Sequence, residues 1–382
     1  MTIFLKAIFS DLLVRVQEMK ETLIVLATNN GIHPDVEGYF FEQTIQELAK
    51  IENKILKLSV ERKGQLEIAL FFTNNLSTYH SLFRDFQFIE LYRYRIIRNY
   101  SAPDHFFKKL IQRVYDDSNI LATPPLVTTI SNSSDYFWAT PSIEVIGVPN
   151  GEEKSLLNLS DLYHEIGHLI FYQFQENSSE ISSLKNEITH FFQAQENSAQ
   201  WTKQERYQLQ NWQEYYLQYW IEEFTCDIIG TYLTGPAYSW TNLKLMAINF
   251  AHNQIYNCSL THPSDEARIR VIFYCLEEMN TEYDEVIVEM DRAWQAIISG
   301  MRQQTQKDRI YELVLSNDIL KQIVTKIIAF CKNIDLAPYQ PSGNKDTIAH
   351  LLNRAWEEVR KNPVGFGDWE KEKLKLLKGL LK

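Results

Sequence analysis

Cysteine is scarce in this chain: four in 382 residues, Cys226, Cys258, Cys275 and Cys331, and no two of them have C-x-x-C spacing. That argues against a zinc ribbon or a redox pair and makes reduced thiols, and hence a cytoplasmic protein, the expectation. Long apolar runs are absent as well. No window holds the 18 or more consecutive apolar residues of a spanning helix, so no transmembrane segment is expected. The apolar N-terminus is interrupted by Lys6, Asp11 and Arg15 before any cleavable small-residue site, which does not read as a signal peptide. Basic charge is in deficit too, with 38 Lys and Arg against 49 Asp and Glu and a net charge of −11. A nucleic-acid partner usually meets a concentrated basic surface, so none is expected. What is present, 45% hydrophobic and 13% aromatic residues, is enough for a sizeable folded core.

Helical periodicity dominates. Leu5, Ile8, Leu12, Val16, Met19 and Leu23 recur every three or four positions and predict an amphipathic helix, packed internally or against a coiled-coil partner. Similar periodicity from about Val36 to Tyr115 predicts a helical bundle, with breaks at Gly31-Ile32-His33-Pro34 and at Asn74-Asn75. Pro124-Pro125 and Ser131-Asn132-Ser133-Ser134 then punctuate the chain. A β-branched run, Ser142 to Val148 between Pro141 and Pro149, predicts a strand, either at a sheet edge or in the core. Residues 171–220, broken near Asn177-Ser178-Ser179 and Asn197-Ser198, fit a helical hairpin serving as a lid or as scaffold. From Tyr283 helix returns through Lys332. After Pro338 to Gly343 comes a helix from Thr347 to Arg360, and after Pro363 to Gly367 a basic one, Lys371 to Lys382, which would pack on the body or dock on an anionic membrane. The expected regions are helical 1–120, a core at 121–282 and helical 283–382.

The chemistry concentrates in His164-Glu165-Ile166-Gly167-His168. On a helix, residues i and i+4 share one face, so both imidazoles can reach one metal ion at about 2.0–2.1 Å. Glu165, about 100° further round, borders the remaining coordination position. There it could take a proton from a water whose pKa the metal has lowered to about 7. Ser160 is a plausible N-cap for this helix, with Asp161 complementing its dipole. A third donor is offered by Glu223-Phe224-Thr225-Cys226-Asp227. Glu223 and Asp227 share a helical face, so Glu223 can bind zinc while Asp227 accepts the second ring N–H of a ligand histidine. Gly167 leaves room for that second helix beneath the metal. Cys226 is either another donor or a small buried residue.

HExxH followed by a separate E-x-x-x-D resembles the gluzincin clan of metallopeptidases, with His164, His168 and Glu223 as the ligands and Glu165 as the base. Thr261 to Ile269 is similar to the His-Pro-x-x-x-x-Arg element of the HtpX-type heat-shock and CAAX-prenyl peptidases. That resemblance implies that His262 and Arg268 lie near the metal and could steady an oxyanion. These blocks occupy under a third of the chain, and those relatives are membrane proteins. Read from the residues alone, His262 before Pro263 could equally shape a turn. Tyr238, after Gly235-Pro236, is a further candidate for oxyanion stabilisation or simply a packed tyrosine. His190 and His252 have no partner pattern and read as structural.

The expectation is therefore a mainly α protein with a small β-sheet (α+β), a zincin-like core flanked by helical regions. The expected function is zinc-dependent hydrolysis of peptide bonds in a protein or peptide substrate, with Zn2+ as cofactor and a regulatory protein partner conceivable. A non-enzymatic, zinc-stabilised scaffold and a zinc amidase acting on a non-peptide bond are the alternatives.

Overall fold

The computed structural model describes residues 2–60, 68–131, 136–196, 198, 200–248, 255–279, 281–300 and 307–381. His252, Asn197 and Asn132 to Ser134, singled out above, lie outside the described residues. The protein is mainly α with a small three-stranded mixed sheet. It divides into two compact units: residues 1–105 with 128–130, and residues 106–127 with 131–382.

In the first unit α1 (Thr2–Thr28), α2 (Tyr39–Val60) and α3 (Ile68–Phe88) are followed by a π-helical turn, Ile89–Tyr94, and by α4 (Arg95–Asn99). The predicted stripe of α1 is buried at Leu5, Leu12, Val16, Met19 and Leu23, with Phe9 taking the place of Ile8. Asn74-Asn75 is not a break. α3 runs through it, with Asn75 buried and the Asn74 carbonyl accepting a bond from Thr78 Oγ1 one turn on. A pair of asparagines lowers helix propensity by only a few tenths of a kcal/mol each, which packing readily overrides.

The second unit opens within α5 (Ala102–Asp117) and holds one continuous core, from Phe107 and Leu110 of α5 to Leu377 near the C-terminus. Its strands β2 (Trp138–Thr140) and β3 (Val145–Pro149) pair antiparallel, and the sheet order is β1-β3-β2, with β1 spanning Leu126–Ser131. One expectation changes here, and an open alternative is decided in favour of the core. Residues Pro141–Ile143 form a 3-10 turn, and Glu144 has a left-handed φ of 53°, so the strand begins only at Val145. All of β3 is buried and it is the central strand; the edge next to α6 (Asp161–Phe174) is β2.

The hairpin of residues 171–220 is α7 (Ser179–Glu196) with α8 (Lys203–Tyr215), after which a π-helical turn, Tyr216–Trp220, leads into α9 (Ile221–Thr234). Every residue of α9 except Glu222 is buried. A helix apolar on all sides has to sit in the interior, and α9 packs against α6 and against α11 (Asp265–Met279) and α14 (Asn317–Asn333). Its buried hydroxyls stay satisfied because Thr225, Thr231 and Thr234 each donate to the carbonyl four residues back. At Gly235 (φ 60°) the chain turns sharply, and a Cβ there would meet the Tyr339 ring at 2.4 Å. Pro236 then opens α10 (Pro236–Ile248). Between these elements lie α12 (Asp284–Gly300) and α13 (Arg309–Val314); α15 (Ile348–Lys361) and α16 (Phe366–Leu380) complete the chain. α7 packs on α14 and so serves as scaffold. α16 starts five residues earlier than the sequence suggests and buries Leu374 and Leu377. No described helix is long and apolar enough to cross a membrane.

Candidate metal centre

α6 and α9 meet face to face at Gly167. A Cβ on that residue would lie 2.8 Å from Cys226 Cα and 3.2 Å from its Sγ, so only glycine lets the helices approach this closely. The approach brings Glu223 Oε2 to 3.5 Å from His164 Nε2, and Glu223 Oε1 to 3.7 Å from His168 Nε2. Donors held tetrahedrally about zinc at 2.0–2.1 Å are separated by roughly 3.3–3.4 Å. The observed separations are a few tenths of an ångström longer and involve a different carboxylate oxygen for each imidazole, while the chemistry of two imidazoles and a carboxylate suits zinc. Glu223 Oε2, moreover, is buried without a hydrogen-bond partner, the condition of an atom awaiting a cation.

His164, His168 and Cys226 offer ligand atoms within 4.8 Å of one another. The thiol is the weaker third donor. It is packed in the seam against Gly167, and burial, followed by the neighbouring carboxylates, pushes it well above the usual thiol range. A thiol must ionise to bind zinc. Glu223 is already ionised: burial opposes its charge, yet His164, Arg268 and His168 hold its carboxyl down at about 2.

Behind the ligand atoms both histidines are oriented through Nδ1. Asp227 Oδ1 lies 3.1 Å from His164 Nδ1, as the E-x-x-x-D spacing implies. Glu222 Oε1 lies 2.7 Å from His168 Nδ1. Sequence reasoning missed Glu222, although it is the one residue of α9 that is not buried, adjacent to Glu223 and carrying a charge. Asp227 is the hub of the network: Arg268 donates to it twice, Nε to Oδ2 at 2.8 Å and Nη2 to Oδ1 at 2.7 Å, and Tyr238 donates its hydroxyl to Oδ1 at 2.6 Å. Burial works against the Asp227 charge, but Arg268 and then His164 keep this carboxyl well below the usual range. Burial also opposes a charge on His164, and Asp227 and Glu223 overcome it, raising the imidazole to about 10. A cation that binds there takes the place of those protons.

These bonds give two predicted residues, Tyr238 and Arg268, which also line the cleft, a common partner in Asp227. Tyr238 is fully buried, and its hydroxyl lies on the Nδ1 side of His164, 3.1 Å from that nitrogen. Arg268 has its fork on Asp227 and only its Nη2 near Glu223 Oε2, at 3.9 Å. Both brace the carboxylate that orients His164. His262 does face the cleft. Its ring is half exposed, Nε2 lies 3.6 Å from Glu223 Oε1, and a Ser259–His262 turn holds it in place.

The open side of the site is a cleft of about 450 Å³ lined by Glu165, His262, Trp138 of β2, Tyr136, Asp161 and Met246, among others. Burial raises the Glu165 carboxyl above its ordinary value, partly countered by the two histidines. Ser160 is not a side-chain cap. Its backbone is already helical (φ −65°, ψ −23°), so its hydroxyl cannot reach the N-terminal amides. Asp161 accepts a bond from Tyr136 at 2.7 Å, and burial lifts its carboxyl to about 7. His190 is exposed on α7 and far from this chemistry. Comparison of the chain with protein-family models, with curated protein sequences and with solved structures gives no match.

Proposed function

We propose that this chain is a zinc-dependent peptidase whose metal is held by His164, His168 and Glu223. The observation that carries the reading is a buried glutamate whose two oxygens each face one imidazole nitrogen, Oε2 toward His164 and Oε1 toward His168, at the floor of an open cleft. Bound zinc would supply Lewis acidity toward a scissile carbonyl and acidify a water to a pKa of about 7.

The protein groups divide the remaining work. Asp227 and Glu222 fix the tautomers of His164 and His168 so that each Nε2 presents a lone pair. Arg268 and Tyr238 hold Asp227 in place and act as positioning residues. Glu165 takes a proton from the attacking water as the O–C bond forms, then passes it to the amine nitrogen as the C–N bond breaks. His262, half exposed at the rim, is the candidate donor to the developing oxyanion. An extended peptide would align along the outer edge of β2, adding a strand there, with Trp138 and Met246 walling an adjacent side-chain pocket. Four unpaired cysteines suit a reducing compartment such as the cytoplasm.

The test is a cleavage screen of the zinc-loaded protein against denatured and folded protein substrates. Cleavage that a chelator removes, that added zinc restores and that E165Q lacks while still binding zinc supports the proposal. Zinc binding without cleavage and without affinity for a hydroxamate supports a structural site, and hydrolysis confined to non-peptide amides supports an amidase.

A further inference from the structure

The first unit contains a second convergence of metal-ligating side chains, unrelated to the HExxH chemistry. His33 and Asp35 stand in the turn between α1 and α2, and His105 stands in the first turn of α5. The fold draws them together across about 70 residues of chain, and their ligand atoms lie within 4.8 Å of one another. His105 Nδ1 is 2.6 Å from Asp35 Oδ2, and His33 Nδ1 is 3.6 Å from the same oxygen. The two rings are 5.8 Å apart at their centroids and tilted by 49°.

The protonation pattern is the informative part. The Asp35 backbone N–H donates to His33 Nδ1 at 3.2 Å, so that nitrogen carries a lone pair and the ring proton sits on Nε2. The same N–H contact holds the His33 ring over Asp35, with Nδ1 3.6 Å from Oδ2. Tyr100 donates its hydroxyl to Asp35 Oδ2 at 3.2 Å; burial first, and then Asp35 itself, raises that phenol, so it stays a donor and holds the carboxylate in place. Three ligand atoms on three side chains, within 4.8 Å of one another, are close enough for one cation to bridge.

We infer that His33, Asp35 and His105 form a second metal site, one for a zinc-class divalent cation. Two imidazole nitrogens and one carboxylate oxygen are borderline donors that suit zinc, cobalt or nickel. Calcium and magnesium take oxygen donors and would be bound poorly. The histidine side chains are 35% and 46% exposed, so the cation enters from solvent and water completes its shell. Binding replaces the proton that His105 Nδ1 shares with Asp35, and that proton leaves to solvent. The consequence is structural: the metal clasps the α1–α2 turn to the Tyr100–His105 segment.

The site is tested on the full chain with zinc as the probe. In H164A/H168A, which lacks the α6 ligands, buffered zinc titration should still load about one equivalent, release about one proton, and lose both on adding H105A or H33A. The wild-type chain offers a readout that needs no variant: the imidazole nitrogen resonances of His33 and His105 should shift with zinc and not with a tenfold excess of magnesium. Zinc uptake in H164A/H168A that is absent or indifferent to H105A, or His33 and His105 resonances unmoved at saturating zinc, would overturn the inference. Neither result bears on the peptidase reading.

Discussion

Gly167→Ala is the smallest change that separates the α6–α9 seam from the ligands themselves. The added methyl would lie 2.8 Å from Cys226 Cα, which is backbone and cannot rotate away. Relief to ordinary contact at 3.4 Å requires the helices to part by roughly 0.6 Å. Overpacking of this kind costs about 1–3 kcal/mol, offset by up to about 1 kcal/mol from the better helix propensity of alanine. The net expectation is a loss of about 0–3 kcal/mol. The larger effect falls on the metal, because the same displacement moves Glu223 away from His164 and His168, whose donor spacing of 3.5–3.7 Å leaves little slack. Zinc affinity should fall by an order of magnitude or more, a loss of about 1.4 kcal/mol per tenfold. Urea denaturation and competition with a zinc indicator measure the two effects. Gly379→Ala in α16, where nothing lies within 4 Å of the new methyl, is the control and should be neutral or slightly stabilising. If Gly167→Ala keeps wild-type zinc affinity and an equal or higher urea midpoint, the seam does not set the metal geometry and the reasoning is wrong.

Removing the Asp227 carboxylate leaves the Arg268 guanidinium without its partner in a largely buried setting, so Asp227→Ala should destabilise by about 3 kcal/mol or more by urea melting. The same variant should weaken zinc about 10–100-fold, and Glu222→Gln should do so by less, since Glu222 is partly exposed. Gly147→Ala places a methyl 2.0 Å from the Trp138 ring and should push that ring off the cleft edge, raising KM for an extended peptide more than it lowers kcat. Glu266 is a pH probe away from the metal. Burial opposes its charge, but Lys307, Tyr311 and Arg270 hold its carboxyl below the usual range. A depressed native value contributes stability above the unfolded value of about 4 and loses it as the pH falls through the native one. The stability gap between wild type and Glu266→Gln should therefore be largest near pH 7 and shrink in urea titrations taken progressively below pH 4.

The sequence exposed the centre of the site because its geometry is local. His164 and His168 at i and i+4, and Glu223 and Asp227 at i and i+4, each place both side chains on one helical face whatever the tertiary fold. What depended on tertiary packing was less legible. Glu222 is adjacent to Glu223, but that it reaches His168 follows from how α9 rotates against α6. Arg268 lies beside Glu223 and Tyr238 beside His164, yet only the fold shows that both meet Asp227. Whether β3 lies at an edge or in the core was not legible, because a β-branched run fits either; burial on both sides is what makes it the central strand. Trp138-Ala139-Thr140 is too short to stand out. The His33, Asp35 and His105 cluster has no spacing signature, since contact across about 70 residues leaves none.

The account's central claim is that Glu223 holds zinc and Glu165 moves protons without holding it. The most direct measurement is the zinc content of E165Q and of E223A by elemental analysis after equilibration in buffered zinc, carried out in an H105A background so that only the α6–α9 site is counted. The account predicts about one equivalent in E165Q, as in the parent, and a loss of most of it in E223A. Zinc lost from E165Q and retained by E223A would contradict it.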